Sequence, residues 1–384
     1  MVILNFEEAL KQSKRFTANP EELKKAIIDT FGESPRDSLV APYADRLAFW
    51  SYYFRGFARF PDRLKNYIQA TLEPHNTYRS FMPYIADIEP NSRCNFKCTM
   101  CQVSEWKGAR AADMSYEQLT ELYAQNPMFT EIKLHGMGEP FLHKRFTDMV
   151  AFLSEKDIWV RTSTNGSLLH KNENYKKLID AEIGEVQCSL DGATADVYQS
   201  IRVGGNFEEV VKNFTLLNKY ANQKDRLYSR MWVVIQKNNR HQLLDFVEIA
   251  RKMEFRRVSF SISLNDWGQE EWKQKNSEKE ANKLTREEKE LLVEMKNKYG
   301  IDITVWEQAS KYEKITKPCY WPQSRPYISS DMKIVPCCMI GNPDVISLGD
   351  ANDFSKAWNS DEYKYFRKLH IDGEIPDCCK SCYA

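Results

Sequence analysis

Three cysteines at close spacing, Cys94, Cys98 and Cys101, are the residues of this chain best suited to chemistry. Three residues separate the first pair and two separate the second, so the thiolates can converge on one inorganic cluster. Three thiolates on a four-iron cluster leave one iron without a protein ligand, and an open iron can bind and activate a small molecule. A structural zinc ion would need a fourth ligand, which His135 or His143 could supply. From the triplet alone, both the cluster and the zinc site are open.

A second group of cysteines lies near the end of the sequence. Its members are Cys319, Cys337, Cys338, Cys378, Cys379 and Cys382. Four thiolates suit either a fully ligated four-iron cluster or a structural zinc ribbon, and their spacing does not separate the two. In a cytosolic protein, cysteines held close together are more often metal ligands than disulfides.

The cysteine triplet, with the aromatic Phe96 just before its second member, resembles the radical S-adenosylmethionine (SAM) superfamily. The resemblance implies that the open iron chelates the amino and carboxylate groups of SAM. It also implies that an electron from the cluster splits SAM into methionine and a 5′-deoxyadenosyl radical, which takes a hydrogen atom from the substrate. A reducing partner such as flavodoxin or ferredoxin is implied as the source of the electron.

Elements that resemble the superfamily's SAM contacts follow the triplet in order. The run from His135 to Pro140 resembles its glycine–glutamate element, so Gly138 and Glu139 are implied to meet the amino group of SAM. The resemblance pairs Arg202 with the carboxylate of SAM and places Gln236 near the ribose or adenine. The complete set of implied cofactor contacts is Phe96, Gly136, Gly138, Glu139, Ser163, Asn165, Ser189, Asp191, Arg202 and Gln236.

The C-terminal cysteines resemble the short "twitch" form of the SPASM extension, an auxiliary iron–sulfur domain. One auxiliary [4Fe–4S] cluster is implied, besides the SAM-binding [4Fe–4S] cluster. Its implied ligands are Cys319, Cys337, Cys379 and Cys382. Met332 stands where the family usually has a glycine, in a hairpin predicted from Tyr327 to Val335. The sequence ends two residues after Cys382, so the later cysteines of the full extension are not expected.

Alternating strand and helix patterns begin at about residue 82 and predict the elements that carry these residues. Predicted strands cover residues 83–88, 131–135, 158–164, 186–190, 230–236, 257–262 and 301–306. The predicted fold is α/β, a partial (β/α)6 TIM-like barrel, with the chemistry at the carboxyl ends of its strands. Residues 1–80 are predicted to form an N-terminal helical extension, residues 81–310 the barrel, and residues 311–384 a small twitch/SPASM-like iron–sulfur domain.

The polar stretch from Asn265 to Gly300 is predicted to be a solvated loop followed by an exposed helix. A lid over the mouth of the barrel is the alternative. Cys188 lies between Gln187 and Ser189 on the fourth strand, so alternation turns it away from the barrel interior.

The amino-acid composition indicates which binding partners and which cellular compartment to expect. The 384 residues carry 54 Lys and Arg against 54 Asp and Glu, so neither nucleic acid nor an anionic membrane is expected as a partner. The sequence starts without the long apolar stretch of a signal peptide, and it lacks the ~18-residue apolar run that a membrane-spanning helix needs. A cytoplasmic enzyme is predicted.

The predicted function is oxidation of a small, hydroxyl-rich, sugar-like substrate, with the auxiliary cluster as the electron acceptor. The alternatives are an epimerase or diol dehydratase that acts on a carbohydrate, and a peptide or protein maturase. A pure electron-transfer protein is disfavoured, because it would not need the runs that resemble SAM contacts. No catalytic base is identified from the sequence.

Overall fold

The computed structural model of the chain describes residues 5–32, 38–39, 43–105, 112–225, 229–307 and 318–383, and side chains are considered only outside residues 43–45. The α-helices are α1 Phe6–Ala18, α2 Pro20–Phe31, α3 Tyr43–Arg59, α4 Pro61–Leu72, α5 Tyr116–Gln125, α6 Phe146–Ser154, α7 Asn174–Asp180, α8 Ala195–Ile201, α9 Phe207–Gln223, α10 Leu243–Lys252, α11 Glu270–Ser277, α12 Arg286–Tyr299, α13 Trp321–Ser324, α14 Phe354–Ala357 and α15 Asp361–Asp372. The strands are β1 Ile85–Ile88, β2 Lys97–Cys98, β3 Glu131–Leu134, β4 Trp159–Thr164, β5 Glu185–Ser189, β6 Arg202–Val203, β7 Ser229–Val234, β8 Arg257–Ser261, β9 Asp302–Trp306, β10 Tyr327–Ile328 and β11 Ile334–Val335. Over these residues, a helix with the length and apolar character needed to cross a membrane is absent.

A parallel sheet forms the centre of the molecule, in the order β1-β3-β4-β5-β7-β8-β9. Helices follow the strands along the chain, as in a barrel built from strand–helix units. The predicted α/β fold is confirmed, and β9 continues the sheet beyond the six predicted units. Helix α5 begins after Ser115 with a capping box, because Ser115 and Gln118 exchange hydrogen bonds between side chain and backbone.

The two faces of the sheet differ in polarity. Residues such as Ile132, Val160 and Val186 are fully buried in the main hydrophobic core. The intervening residues lie on the barrel interior, where strand register places Asp87 beside Lys133 and Lys133 beside Arg161. This alternation leaves the interior lined by polar and charged groups rather than by a packed apolar core.

Helices α1 to α4 form their own apolar cluster, which includes Phe16, Tyr53 and Phe57 and packs against Trp159 at the start of β4. Polar contacts fix the same surface. The buried Arg63 donates to the carbonyl oxygens of Pro127 and Lys156 at 2.9 and 2.6 Å. These contacts lie at the amino ends of the strands, so the helices cover the end of the barrel opposite the predicted chemistry.

The C-terminal segment is joined to the sheet edge rather than being separate from it. Strands β10 and β11 form the predicted hairpin, and β10 also pairs in parallel with β1, with Asp87 beside Tyr327. Arg325 binds both carboxylate oxygens of the fully buried Asp87, at 2.8 and 2.9 Å. Met332 has a φ of 60°, the left-handed conformation that favours glycine. The residue that replaces the family's glycine therefore keeps the glycine conformation.

Candidate functional site

The cysteine loop is fixed to the barrel by a short antiparallel pair. Strand β2 pairs with β6, and this register places Cys98 opposite Arg202. The amide of Thr99 extends the contact by donating to the carbonyl oxygen of Ile201 at 2.9 Å. Two positions far apart in sequence, one predicted to bind the cluster and one predicted to bind SAM, are therefore direct neighbours.

Burial dominates the protonation of the loop thiols. Burial, together with the charges of the neighbouring thiols, raises the pKa of Cys94 to about 11 and that of Cys101 to about 12. The Arg202 guanidinium acts in the opposite direction on all three thiols. Thiolates in such a setting need a cation, and a metal centre deprotonates the thiols that coordinate it.

Among the described residues, no three Cys, His, Asp or Glu side chains converge as the ligands of a single metal ion do. A four-iron cluster holds its thiolates farther apart than one ion would, because each thiolate binds a different iron. The mutual effects of Cys94, Cys98 and Cys101 on one another's pKa show that the three thiols are close neighbours. The donor set fits a cluster rather than a single ion.

The glycine–glutamate run packs directly on the chain that leads into the cysteine loop. A Cβ atom at Gly138 would lie 2.4 Å from the carbonyl oxygen of Asn91 and 2.5 Å from that of Arg93. At Gly136 it would lie 2.3 Å from Cγ of Glu89. Glycine is thus required at both positions by the close approach of neighbouring chain.

Glu139 is a buried carboxylate at the centre of the predicted SAM contacts. Its oxygens accept hydrogen bonds from the Thr164 hydroxyl at 2.7 Å and from the backbone amides of Asn165 at 2.8 Å and Phe141 at 3.3 Å. Burial nevertheless raises the pKa of Glu139 to about 7, and the three hydrogen bonds and Arg202 offset only part of that effect.

The third and fourth barrel strands bring the next predicted contacts together. The side-chain amide of Asn165 donates to Asn95 Oδ1 at 3.0 Å and lies 3.9 Å from Cys94 Sγ. The hydroxyl oxygens of Ser163 and Ser189 are 3.5 Å apart on neighbouring strands. Asn165 therefore links the end of β4 to the cysteine loop, as expected for residues that share a ligand.

Asp191 and Arg202 form a buried ion pair, with 2.7 Å between Oδ2 and Nη2. The other carboxylate oxygen of Asp191 accepts from the amide of Val234 at 2.8 Å, and the residue has no exposed surface. The contact of Asp191 with SAM stays a prediction, and the structure adds its ion pair with Arg202. Its carboxylate holds the guanidinium that faces the cofactor region.

Several predicted contacts carry buried polar atoms without a partner among the described residues. Both amide atoms of Gln236 and Nε of Arg202 are in this state, as is the hydroxyl of Tyr198. A buried polar group without a hydrogen bond costs about 1–3 kcal/mol, so such atoms commonly mark a ligand site. The predicted contacts thus fit a polar ligand with several donors and acceptors.

Phe96 is buried and its amide donates to Cys94 Sγ at 3.4 Å, so this residue shapes the cysteine loop.

The C-terminal cysteines also lie together. Burial raises the pKa of Cys337, and Cys338, Cys319 and Cys382 raise it further. The pKa of Cys379 is raised by Cys378, Cys337 and Cys319. The four predicted ligands of the auxiliary cluster therefore share one neighbourhood, with the Sγ atom of Cys378 lying 3.9 Å from that of Cys379.

Cys338 lies near the interior face of the sheet. Its charge acts on the pKa of Lys133 and of Arg325, both of which belong to the interior charge network. The auxiliary cysteines thus border the space enclosed by the sheet.

By contrast, Cys188 is fully buried in the apolar core, in register with Met231, and its predicted orientation away from the interior is confirmed.

The segment after β8 is largely exposed and leads into the exposed helix α12 as predicted, but part of it packs on the cysteine loop. Gln269 donates to the side-chain oxygen of Gln102 at 2.8 Å, and Asn276 donates to the carbonyl oxygen of Met100 at 3.3 Å. Trp267 and Trp272 are buried, with ring centroids 5.4 Å apart. The prediction missed these contacts because polar composition indicates solvent, whereas Gln269 and Asn276 bond to the cysteine loop.

Gln102 is a structural residue of the site that the sequence did not reveal. Its side-chain oxygen accepts from Gln269 and, at 3.3 Å, from Asn342 of the C-terminal segment. Its amide also lies 3.4 Å from Met137 Sδ. A single glutamine belongs to no recognisable motif, so only the folded structure identifies it.

Comparison with known proteins identifies both halves of this arrangement. Residues 88–250 match the model of the radical SAM superfamily, and residues 319–383 match that of the SPASM iron–sulfur cluster-binding domain. A cofactor-modifying protein for tungsten-containing aldehyde ferredoxin oxidoreductase from Pyrococcus furiosus is 35% identical over 107 residues, 27% of this chain and 30% of that protein. The mycofactocin maturase MftC of Mycobacterium ulcerans is 30% identical over 160 residues, 41% of each chain. The chain thus spans less than half the length of these two relatives.

The fold has solved counterparts. The structure of Streptococcus suis SuiB bound to S-adenosylmethionine aligns with a TM-score of 0.58 and 14% identity, covering 91% of this chain and 78% of that one. At this level of identity the likeness extends to the fold alone.

Proposed function

From its membership of the radical SAM superfamily, with a SPASM domain at its C-terminal end, we propose that this chain oxidises a small, hydroxyl-rich substrate. The radical SAM domain binds SAM and a [4Fe–4S] cluster, and the SPASM domain binds iron–sulfur as well. Cys94, Cys98 and Cys101 would hold the first cluster. When bound, these groups supply the power to abstract a hydrogen atom from an unactivated carbon of the substrate.

The position of the auxiliary cysteines beside the barrel interior is the observation that carries the proposal. Arg325 and Ser330 attach this segment to β1, where Ser330 donates to the buried Glu89 at 3.0 Å. Cys338 lies near enough to Lys133 to affect its pKa. A substrate held inside the barrel is thus close to an iron–sulfur domain, which is the arrangement that loss of two electrons from the substrate requires.

The interior of the barrel suits a polar substrate. Ser163, Gln187 and Ser259 lie on the inner face by strand register and offer hydroxyl and amide groups. Helices α1 to α4 cover the amino ends of the strands, so substrate and water reach the interior from the carboxyl ends. The chain's own residues would therefore orient hydroxyl groups and limit solvent access on one side.

Cleavage of SAM is the first test. The reconstituted, dithionite-reduced protein should produce 5′-deoxyadenosine and methionine, whereas a variant with Cys94, Cys98 and Cys101 replaced by alanine should not. Chromatography of the two reactions provides the comparison. Equal, background-level 5′-deoxyadenosine in both reactions would rule out radical SAM chemistry.

The second test is the mass of the product. The protein is incubated with a pool of sugars, and the mass of any sugar that reacts distinguishes oxidation from dehydration and epimerisation. Oxidation lowers the product mass by two hydrogens, and dehydration lowers it by one water. Epimerisation leaves the mass unchanged in ordinary water and adds one deuteron in heavy water. We expect loss of two hydrogens, with a Cys379→Ala variant that still cleaves SAM but forms no oxidised product.

A peptide or protein maturase is the second candidate. The similarity to MftC favours it, although the matched stretch covers only 41% of that protein. The same mass measurement on a peptide pool discriminates between the two. A mass change in a peptide, with none in the sugar pool, would favour the maturase.

A further inference from the structure

We propose that Lys133 is an anion anchor inside the barrel, so that the substrate carries a carboxylate or phosphate group. The inference rests on the function proposed above and adds the chemical class of the substrate. It depends on how charge is distributed over the interior face of the sheet.

The guanidinium groups of this face are already bound to carboxylates. Arg161 lies 2.9 Å from Glu131 and 2.7 Å from Glu185. The same Glu185 also binds Arg230 at 3.2 Å and Arg257 at 2.9 Å. Arg325 and Asp87 form a further pair of this kind. The buried carboxylates of β1, β3 and β5 are thus all paired with arginine.

Lys133 differs from these arginines. Among the described residues its ammonium group makes no hydrogen bond and no ion pair. It lies on the interior face, between Asp87 and Arg161 in register. The side chain is half-buried on a face lined by charged groups, so its ammonium group is available to a ligand of opposite charge.

The charges around Lys133 come from every neighbouring element. The groups that act on it or are acted on by it are Asp87, His135, Arg161, Glu185, Arg325 and Cys338. Burial lowers the pKa of Lys133, and Arg161 and Arg325 lower it further, while Asp87 and Cys338 raise it. An incoming anion would relieve this repulsion and raise the lysine pKa again, so anion binding should take up protons.

The location also suits a substrate that reacts beside SAM. Lys133 lies two residues before His135, on the same face of β3, and the glycine–glutamate run starts there. Trp232 and Trp306 lie on the same interior face, with ring centroids 6.5 Å apart, and offer an apolar wall. A ligand with an anionic end and a ring or carbon skeleton fits this combination.

Sulfate is a suitable probe, because its charge stays constant between pH 6 and 9. The reconstituted protein, saturated with SAM, is labelled with trace acetic anhydride with and without sulfate, and the modified lysines are quantified by peptide mass spectrometry. Sulfate should slow acetylation of Lys133 and leave that of the exposed Lys212 on α9 unchanged. The protection should weaken as the pH rises through the lowered pKa of Lys133.

Calorimetry of sulfate binding to variants gives an independent measure. Lys133→Gln should weaken sulfate binding by about tenfold, the effect of losing one charged contact. Lys133→Arg should retain most of the affinity, and the matched surface variant Lys212→Gln should behave as wild type. Lack of sulfate protection at Lys133 in the unmodified protein would overturn the anchor, even if the variants fail to fold.

SAM cleavage, measured on the same samples, separates the two proposals. Intact cleavage without sulfate protection would refute the anchor and leave the proposed function standing. Sulfate protection without any SAM cleavage would support the anchor and refute the proposed function.

Discussion

At the scale of single residues, the site consists of buried polar groups whose roles depend on their partners. The sequence resemblance treated Asp191 and Arg202 alike, as contacts of SAM. In the structure Asp191 is fully buried and bonded to Arg202 and Val234, so its carboxylate holds the arginine. Strand alternation predicted the face correctly, but it could not reveal which side chain bonds to which.

Glu139 is expected to make SAM binding depend on pH, since it is predicted to meet the amino group of SAM. Its pKa is raised to about 7, so the carboxylate takes up a proton as the pH falls below 7. The protonated acid is a weaker acceptor for the amino group of SAM. At pH 6 only about a tenth of the groups would be ionised, so we expect SAM to bind about tenfold more weakly at pH 6 than at pH 8.

Equilibrium dialysis of SAM against the reconstituted protein at the two pH values measures this difference. Glu139→Gln, which cannot ionise, should show a flat profile between pH 6 and 8. Iron content at both pH values is the control, because loss of the cluster would also weaken binding. An identical pH profile in the wild type and the variant would show that another group is responsible.

Met332 shows how a fold tolerates a departure from a family's pattern. The residue is 2% exposed and has a φ of 60°. Left-handed backbone costs a non-glycine residue about 1–2 kcal/mol, whereas burying a Met side chain contributes about 1.5–3 kcal/mol. Met332→Gly should therefore leave the protein less stable or unchanged, as measured by chemical denaturation, and a clear gain in stability would contradict this balance.

At the scale of elements, the regular parts of the fold could be predicted and the bridging parts could not. The apolar and polar alternation gave the barrel strands, because each strand has one face in the core. The pairing of β10 with β1 joins residues 327 and 87 and leaves no local signal. The bonds of Gln269 and Asn276 to the cysteine loop likewise leave no local signal, because they join residues far apart in the sequence.

Gln102 joins the cysteine loop to two other parts of the chain. It connects the cysteine loop to Gln269 and Asn342, and it is only 4% exposed. Gln102→Ala should cost about 1–3 kcal/mol, since it leaves buried amides without a partner. Hydrogen exchange should rise in residues 264–277 and 338–343, while helices α1 to α4 keep their protection.

The matched control for this variant is Gln125→Ala. Gln125 also connects two elements, through Asn352 at 3.0 Å and Ser355 at 3.4 Å, but its contacts are exposed. This change should have little effect on stability. Equal effects of the two variants would mean that burial of the Gln102 bonds contributes nothing.

At the scale of the whole molecule, two separate sets of cysteines lie beside the same edge of the main sheet. The first set follows β1, and the second surrounds the hairpin that pairs with β1. The two sets are therefore fixed relative to each other by backbone pairing and by the buried Arg325–Asp87 ion pair. A rigid connection of this kind suits electron transfer between a substrate and a second cluster.

The iron content tests this architecture most directly. We predict about eight irons per chain after anaerobic reconstitution, because each of the two cysteine sets can ligate one four-iron cluster. Replacing Cys94, Cys98 and Cys101 by alanine should leave about four irons, and replacing Cys379 and Cys382 should remove the other four. Iron and zinc are both measured by mass spectrometry of the metals, since a zinc ribbon would use the same four thiolates of the C-terminal set. Four irons with one tightly bound zinc would show that the C-terminal set is structural, and the electron from the substrate would then need another acceptor.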